Sequence, residues 1–342
     1  MQVDKVERLS AGQRSEVLTL SRTAETVDQV APLSEQVLLA ARGGLPTGTT
    51  TGSSHFLAYA GTHLAGYAHL QRDGPGEAAT GEVVVDPACR RQGVGTALVH
   101  ALEEALEDAF KDAVKNVPEN VPGPGAHVLR LWSHGYLDSA RAFALRDGYS
   151  KVRELWQMRR SLRSDSSQDT AASLPAVSLP EGFRTRHFIV GQDEDAWLRM
   201  NADAFVDHPE QGRMTRDDLD RRIAEPWFDA NGFILTEDTR GLTPVLAASH
   251  WTKVVATENP RIRPTQGEVY VVGVDPAYQG LGLGRAVTVL GLAHLREQGL
   301  TDAMLYVDAD NRAAVATYSQ LGFVRFAVDV MYSRTVHPSV PR

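Results

Sequence analysis

Two glycine-rich bends carry the residues best placed to do chemistry. One reads Gln279-Gly280-Leu281-Gly282-Leu283-Gly284-Arg285; the other reads Arg90-Arg91-Gln92-Gly93-Val94-Gly95-Thr96. Glycine tolerates positive φ and leaves room for a ligand against the main chain. N–H groups in such a bend can converge on an anion, and a helix starting there adds the positive end of its dipole. The chemistry implied is capture of a pyrophosphate. A G-x-G-x-x-G fingerprint would need a third glycine, but Arg285 or Val287 stands there in one bend and Leu98 in the other. A P-loop would need Gly-Lys-Ser/Thr, which neither bend has.

The elements that must position these bends repeat. Residues 81–95 (GEVVVDPACRRQGVG) and 267–284 (GEVYVVGVDPAYQGLGLG) both give a Val-rich strand, Val-Asp-Pro, a Gly-x-Gly bend and a helix. The helical stripes match: Leu98, Ala101, Leu102 and Ala105 in one, Ala286, Val289, Leu290 and Ala293 in the other. Downstream, 128–133 (VLRLWS) and 303–308 (AMLYVD) read as strands, each followed by a helix ending near Gly148 or Gly322. A spacing of roughly 180 residues is far beyond solenoid periods, so this is a duplicated domain. Hairpin signals such as 56–59 before 66–70 add antiparallel strands, and the class is α+β, a mixed sheet flanked by helices. The expected boundaries are a first domain at 1–160, a Ser/Asp/Ala/Pro-rich linker at 161–179 and a second domain at 180–342. The stretch 115–125 (KNVPENVPGPG) reads as a surface loop inserted in the first copy.

Composition narrows the class. A chain of 342 residues holds two domains of ordinary size. With 42% hydrophobic and 23% charged residues it reads as a globular, cytoplasmic protein, with neither a membrane span nor a signal peptide expected. The net charge of −8 argues against nucleic acid as a partner. A single cysteine, Cys89, rules out an intrachain disulfide and a cysteine-rich metal site. It lies beside the first bend with no histidine evident nearby in sequence, so a packed or loop thiol is expected. The histidines show no H-x-x-x-H spacing, and no metal is expected.

Both bends fit Gln/Arg-x-x-Gly-x-Gly and so resemble the acetyl-CoA loop of the GNAT acetyltransferase superfamily. Further segments resemble the mycothiol synthase family of actinobacteria: VAPLSEQVL (30–38), VRELWQMRR (152–160), FVDHPEQG (205–212), HWTK (250–253), GEVYVVGVDP (267–276) and LYVDADNRAAVATYSQLGF (305–323). The resemblance implies a tandem GNAT fold whose C-terminal half is the active one. It implies transfer of acetyl from acetyl-CoA to the cysteinyl amine of cysteinyl-glucosaminyl-inositol, the last step to mycothiol. Substrate contacts are implied at Glu35, Glu210, Lys253, Glu268 and Tyr306. Acetyl-CoA contacts are implied in the second half at Val272, Gly273, Val274, Gln279, Gly280, Leu281, Gly282, Leu283, Gly284, Arg285, Asn311, Arg312, Ala313, Ala314, Val315 and Ala316. A second acetyl-CoA, one per domain, is implied in the first half at Val83, Val84, Val85, Arg91, Gln92, Gly93, Val94, Gly95 and Thr96. The family's bend is often richer in arginine than Gln279-Gly280-Leu281, which weakens ion pairing to phosphate and leaves the main-chain site. Gly273, interrupting a Val-rich strand, fits a splayed strand offering its backbone to the pantetheine arm.

Amine acetylation needs a neutral nucleophile and a proton donor for the departing thiolate. Glu268 is expected as general base, because it starts the strand whose other end faces the thioester. Tyr318 is expected as general acid: Asn311, Ala314 and Tyr318 share a helical face, and a phenol is protonated at neutral pH. In the first half Ala79, Leu137 and Ala144 take the places of Glu268, Asn311 and Tyr318, so that half is expected to bind acetyl-CoA without turnover. The chain is expected to act as a monomer on a small amine. The competing readings are an acetyltransferase for another amine, such as an aminoglycoside or a protein N-terminus, and a non-catalytic acetyl-CoA sensor.

Overall fold

The computed structural model describes residues 2–43, 52–72, 78–115, 127–163, 174–206, 208, 211–255 and 265–336. The expected loop at 115–125 and the middle of the expected linker lie almost wholly outside these residues.

The chain forms two compact units, Met1–Glu154 with Val328–Arg342, and Leu155–Ala327. In chain order the first half contains β1 (Val3–Val6), α1 (Ala11–Asp28), α2 (Glu35–Ala41), β2 (Gly52–Ala60), β3 (His63–Arg72), β4 (Ala79–Val85), α3 (Val94–Lys115), β5 (His127–Ser133), α4 (Asp138–Arg146) and β6 (Ser150–Ser161). The second half contains β7 (Phe183–His187), α5 (Glu194–Ala204), α6 (Arg216–Ile223), β8 (Phe233–Asp238), β9 (Val245–Lys253), β10 (Gln266–Val274), α7 (Leu283–Glu297), β11 (Asp302–Asp308), α8 (Arg312–Gln320) and β12 (Val324–Val336).

The units do not divide where the sequence suggested. β6 runs 12 residues and β12 runs 13, and each crosses a unit boundary. The far end of β6, Leu155–Ser161, pairs antiparallel with β11 in unit 2. The far end of β12, from Val330 to Val336, pairs with β5 in unit 1. Each half thus lends its last strand to the other. Polar composition marks the chain between the halves, but strand pairing decides which residues share a core, so boundaries after Arg160 and Leu179 differ from the compact units.

Within unit 1 the strand order is β1-β2-β3-β4-β5-β12; within unit 2 it is β6-β11-β10-β9-β8-β7. The expected hairpin at 56–70 is the β2–β3 pair. In unit 1, α3 packs Val94, Leu98, Leu102 and Leu106 on the sheet, and α1 packs Val17, Leu20 and Ala24. In unit 2, α7 packs Val289, Leu292 and Leu295, and α5 packs Trp197 and Met200 against Phe233, Trp251 and Val271. Gly291 sits inside α7 because His250 occupies its flank; a Cβ there would run into the His250 ring. Gly148 (φ 77°) and Gly322 (φ 83°) end α4 and α8 in the left-handed conformation expected at those positions.

Candidate active site

In unit 2 the candidate residues are arranged around β10. This strand pairs in parallel with β11 only from Gln266 to Val269, opposite Asp302 to Leu305. Beyond that point β10 continues to Val274 bonded to β9, while β11 continues to Asp308 bonded to β6. The two strands therefore part. Among the described residues, the β11-facing main-chain groups of Val272, Gly273 and Val274 have no ladder partner. Such an edge can accept an extended, amide-bearing ligand. A β-bulge between Val269 and Val271 resets the side-chain alternation. Val269, Val272 and Val274 thus pack on the α7 side, and Val271 and Gly273 lie against α5.

The bend follows directly. An Asp275 carboxylate oxygen accepts the Ala277 N–H at 2.8 Å, fixing a short turn at Pro276–Tyr278. Gly280 (φ 80°) and Gly282 (φ 78°) are left-handed, and α7 starts at Leu283. No atom lies within 4 Å of a Cβ built on either glycine, so backbone conformation is what demands them. Gly284 lies close under Val274, whose methyl carbon would stand 3.4 Å from an added Cβ. The N–H groups of the first helical turn have no intrahelical acceptor, and Arg285 in that turn is exposed. Leu281 and Gln279 are both exposed.

Unit 1 repeats this backbone. Asp86 accepts the Ala88 N–H at 2.8 Å, Arg91 (φ 62°) and Gly93 (φ 84°) take the left-handed positions, and α3 starts at Val94. β4 pairs with β5 only through Glu82, opposite Trp132, while Val83, Val84 and Val85 continue on β3. Arg90 is committed to Asp28 through two hydrogen bonds of 2.8 and 2.6 Å. Thr96 accepts a hydrogen bond from Arg146 at 3.1 Å.

The side chains around the two forks differ. In unit 2, Lys253 stands opposite Glu268 across the β9–β10 ladder, with its Nζ 4.0 Å from a carboxylate oxygen. The same ammonium lies 5.0 Å from the Trp227 ring and 4.9 Å from the Tyr270 ring, and the Arg222 Nε donates to the Tyr270 hydroxyl at 2.8 Å. Tyr318 lies on α8 with Ala314, packed on the cluster that holds Val269, and meets Phe323 edge-on at 5.9 Å. Burial pushes its phenol up to about 12, which keeps the proton on at neutral pH. Asn311 caps α8: its side-chain oxygen accepts the Ala314 N–H at 3.1 Å. Arg312, Ala313 and Ala316 are exposed, and Val315 packs on the same cluster as Ala314. Tyr306 projects from β11 opposite Gln157 and is 43% exposed.

In unit 1, buried His134 lies between two buried carboxylates, 3.5 Å from Glu82 and 3.2 Å from Asp329. Burial opposes its charged form, but bonding to Asp329 and Glu82 prevails and pushes the imidazole up to about 10. Glu82 is held below the usual carboxylate range: burial works against this, and His134 and Ser34 overcome it. The Ser34 N–H donates to Glu82 at 2.7 Å, and Glu35 is the next residue, opening α2.

Lys253 and Glu268 are thus brought together in unit 2, with Tyr318 on the neighbouring cluster. Glu210 lies outside the described residues. Among its described neighbours, Asn201 and Gln211 exchange two hydrogen bonds of 2.8 Å, and His208 reaches Asp308 at 3.4 Å. The unit 1 counterpart of Glu268 is not Ala79, the residue reached by counting back from Val-Asp-Pro. Glu268 pairs with Met304, whose counterpart by the shared helix end is Arg130, and Arg130 pairs with Thr80. The β10 bulge adds a residue that β4 lacks, so Thr80, not Ala79, holds the place of Glu268. Leu137 does sit at the N-cap of α4, without a side-chain cap. Sequence reading missed the Glu82–His134–Asp329 group, whose members lie far apart in the chain. It also missed the neighbours of Cys89: His63 and Asp86 lie beside it.

The model of the acetyltransferase (GNAT) family matches residues 29–123 and again 203–323. A tandem GNAT protein from the clavulanic acid biosynthesis pathway superposes with a TM-score of 0.70 at 18% identity, covering 99% of this chain and 100% of that one. A GCN5-related N-acetyltransferase from Sphaerobacter thermophilus gives 0.67 at 22%, covering 99% and 97%. Mycothiol acetyltransferase of Thermobispora bispora is 45% identical over 96% of this chain and 98% of its own length. That of Thermomonospora curvata is 47% identical over 95% and 94%. The chain belongs to the GNAT acetyltransferases, which use acetyl-CoA as donor, and within them to the mycothiol acetyltransferase family. Among the described residues no helix is long and apolar enough to cross a membrane.

Proposed function

We propose that the chain acetylates the cysteinyl amine of cysteinyl-glucosaminyl-inositol, with unit 2 performing the chemistry. The observation that carries this reading is the pairing of Glu268 with Lys253 of β9, Glu268 lying on β10, the strand that both parts from β11 and leads into the glycine bend. Main-chain amides at 279–285 and the free edge at 272–274 suit the pyrophosphate and pantetheine of acetyl-CoA, with 311–316 beside them. Unit 1 offers the same backbone at 83–85 and 91–96 for a second molecule.

Acetyl-CoA supplies the electrophilic carbonyl. Glu268 takes the proton of the amine as its nitrogen attacks, directly or through a water. Lys253, held by its aromatic neighbours, fixes that carboxylate and faces the polar substrate with Tyr306. The Tyr318 hydroxyl gives a proton to the sulfur as the C–S bond breaks. Positioning of amine and thioester in one cavity supplies much of the remaining rate.

The test is thiol release from acetyl-CoA with cysteinyl-glucosaminyl-inositol beside a panel that includes aminoglycosides and peptide N-termini. Selective release with the cysteinyl amine supports the proposal. Faster release with another amine reassigns the substrate, and binding without release from any amine removes the catalytic reading. Glu35→Ala, assayed alongside, tests that residue separately: a raised KM at unchanged kcat is expected of a substrate contact.

A further inference from the structure

The neck of the unit 1 bend holds three side chains with metal-ligand chemistry. The His63 ring nitrogen, an Asp86 carboxylate oxygen and the Cys89 sulfur all lie within 4.8 Å of one another. We propose that they form a binding site for a divalent transition-metal ion, with zinc the best match to a nitrogen, oxygen and sulfur donor set.

The geometry is close to what such an ion needs. Zinc bonds of these types place neighbouring ligand atoms about 3.3–3.8 Å apart in a tetrahedron. His63 Nε2 and Asp86 now stand 2.8 Å apart in a direct hydrogen bond, which the ion would replace. The His63 side chain is 59% exposed, so its ring has room to swing outward and the fourth position opens to solvent.

The backbone beneath the three is fixed. The Asp86 N–H donates to the Ala65 carbonyl at 2.9 Å, and the Cys89 N–H donates to the Asp86 carbonyl at 2.8 Å. The second Asp86 oxygen accepts the Ala88 N–H, which orients the carboxylate as an outer-shell partner would. Coordination would release the thiol proton to solvent and leave a thiolate on the ion.

The duplicated half provides an internal comparison. Asp275 makes the same turn with Ala277 as Asp86 makes with Ala88. Gly66 pairs with Val85 as Ala248 pairs with Val274, and a matching irregularity lies just before each pairing. Counting from these anchors, Val245 stands in the place of His63 and Tyr278 in that of Cys89. Unit 2 therefore keeps the turn and has neither the imidazole nor the thiol. The donor set is particular to unit 1, where the ion would clip the start of β3 to the bend just before Arg91.

Cobalt titration of the full chain tests the site, because a thiolate on Co²⁺ gives a charge-transfer absorption in the near ultraviolet. One equivalent should produce that band, and zinc should displace it. Cys89→Ser should abolish it. His63→Ala and Asp86→Asn, the latter still able to accept the Ala88 N–H, should weaken binding by at least about tenfold. Cys89 is the chain's one cysteine, so alkylation of the unmodified protein reports on it alone. Saturating zinc should slow that alkylation, and His63→Ala should restore it. No cobalt band in the wild type, a band that survives in Cys89→Ser, or alkylation indifferent to zinc would overturn the site.

Discussion

Unit 1 and unit 2 share a main chain at the bend and differ in what fills the fork beside it. Both have an aspartate-fixed turn, two left-handed residues, a helix starting just after the second of them, and strands that part after a short parallel ladder. At the fork of unit 1 lies a buried imidazolium bracketed by Glu82 and Asp329. Along the corresponding strand of unit 2 lies a half-buried Glu268 beside an aromatic-flanked Lys253. A glycine bend grips a ligand through backbone amides, so duplication copies it whole. Proton transfer needs a side chain that is both reachable and free to change its charge. Unit 1 holds Glu82 against the enclosed His134, whereas unit 2 sets the more exposed Glu268 opposite Lys253 on the strand that leads into the bend.

The largest effect that would sharpen this comparison is on turnover. Glu268→Gln should lower kcat by ~10²–10⁴-fold if the carboxylate accepts the amine proton, and Tyr318→Phe should do the same if the phenol donates to sulfur. Glu82→Gln should leave the chemical step unchanged, with any loss traced to folding. Steady-state and single-turnover rates for the three variants check this. A Glu268→Gln enzyme near the wild-type rate, or a Glu82→Gln enzyme that folds yet loses turnover, would break the assigned asymmetry.

Next in size is the stability of unit 1. Removing His134 leaves Glu82 and Asp329 buried without their cation, and breaking such a group costs about 3–5 kcal/mol. His134→Leu should therefore lower the denaturation midpoint markedly, while removing one of the two stranded negative charges with Glu82→Gln in the same chain should recover part of the loss. Equal stability of wild type and His134→Leu in denaturant titrations would show that the group contributes little.

How much of this was legible follows from which interactions are local. The bends, Gly148, Gly322 and the α3 and α7 stripes were readable because glycine placement and helical periodicity are written in adjacent residues. The strand exchange was not: β6 and β12 have ordinary strand composition, and nothing local says that Leu155 will pair with Asp308 or Val336 with His127. The bulge that shifts the counterpart of Glu268 from Ala79 to Thr80 left no mark beyond Tyr270, a residue any strand accepts. Lys253 and Glu268 were readable as site residues only through the family resemblance; their pairing across a ladder is a tertiary fact. His63 beside Cys89 was hidden for the same reason, because the two residues meet only once β3 and β4 pair.

A smaller effect is expected where His250 packs on α7. Gly291→Ala would drive a Cβ into the imidazole, so the ring or the helix must move, at about 1–3 kcal/mol for overpacking. The gain in helix propensity from glycine to alanine, about 1 kcal/mol, offsets part of that. A modest fall in thermal midpoint should result, and Gly291→Ala combined with His250→Ala should relieve it. A Gly291→Ala protein more stable than wild type would mean that the ring yields without cost.

A pH dependence also distinguishes the two units, shared in acid and divided in alkali. Burial lowers His250 in unit 2 to about 3, and His55 and His69 in unit 1 to about 4. These rings fold neutral, whereas an unfolded histidine titrates near ~6.5, so below that pH the unfolded chain binds more protons. Stability should therefore fall in both units as pH drops from about 6.5 toward 4. His134 has the opposite sign. Its folded value of about 10 lies above the unfolded one, so its contribution is complete below pH ~6.5 and fades as pH rises through its folded value. Unit 1 alone should lose stability on the alkaline side by this route. Hydrogen-exchange protection followed by segment from pH 5 to about 10 separates the two, after correction for intrinsic exchange rates. Protection that declines equally in α3 and α7 at high pH would show that His134 does not set the difference.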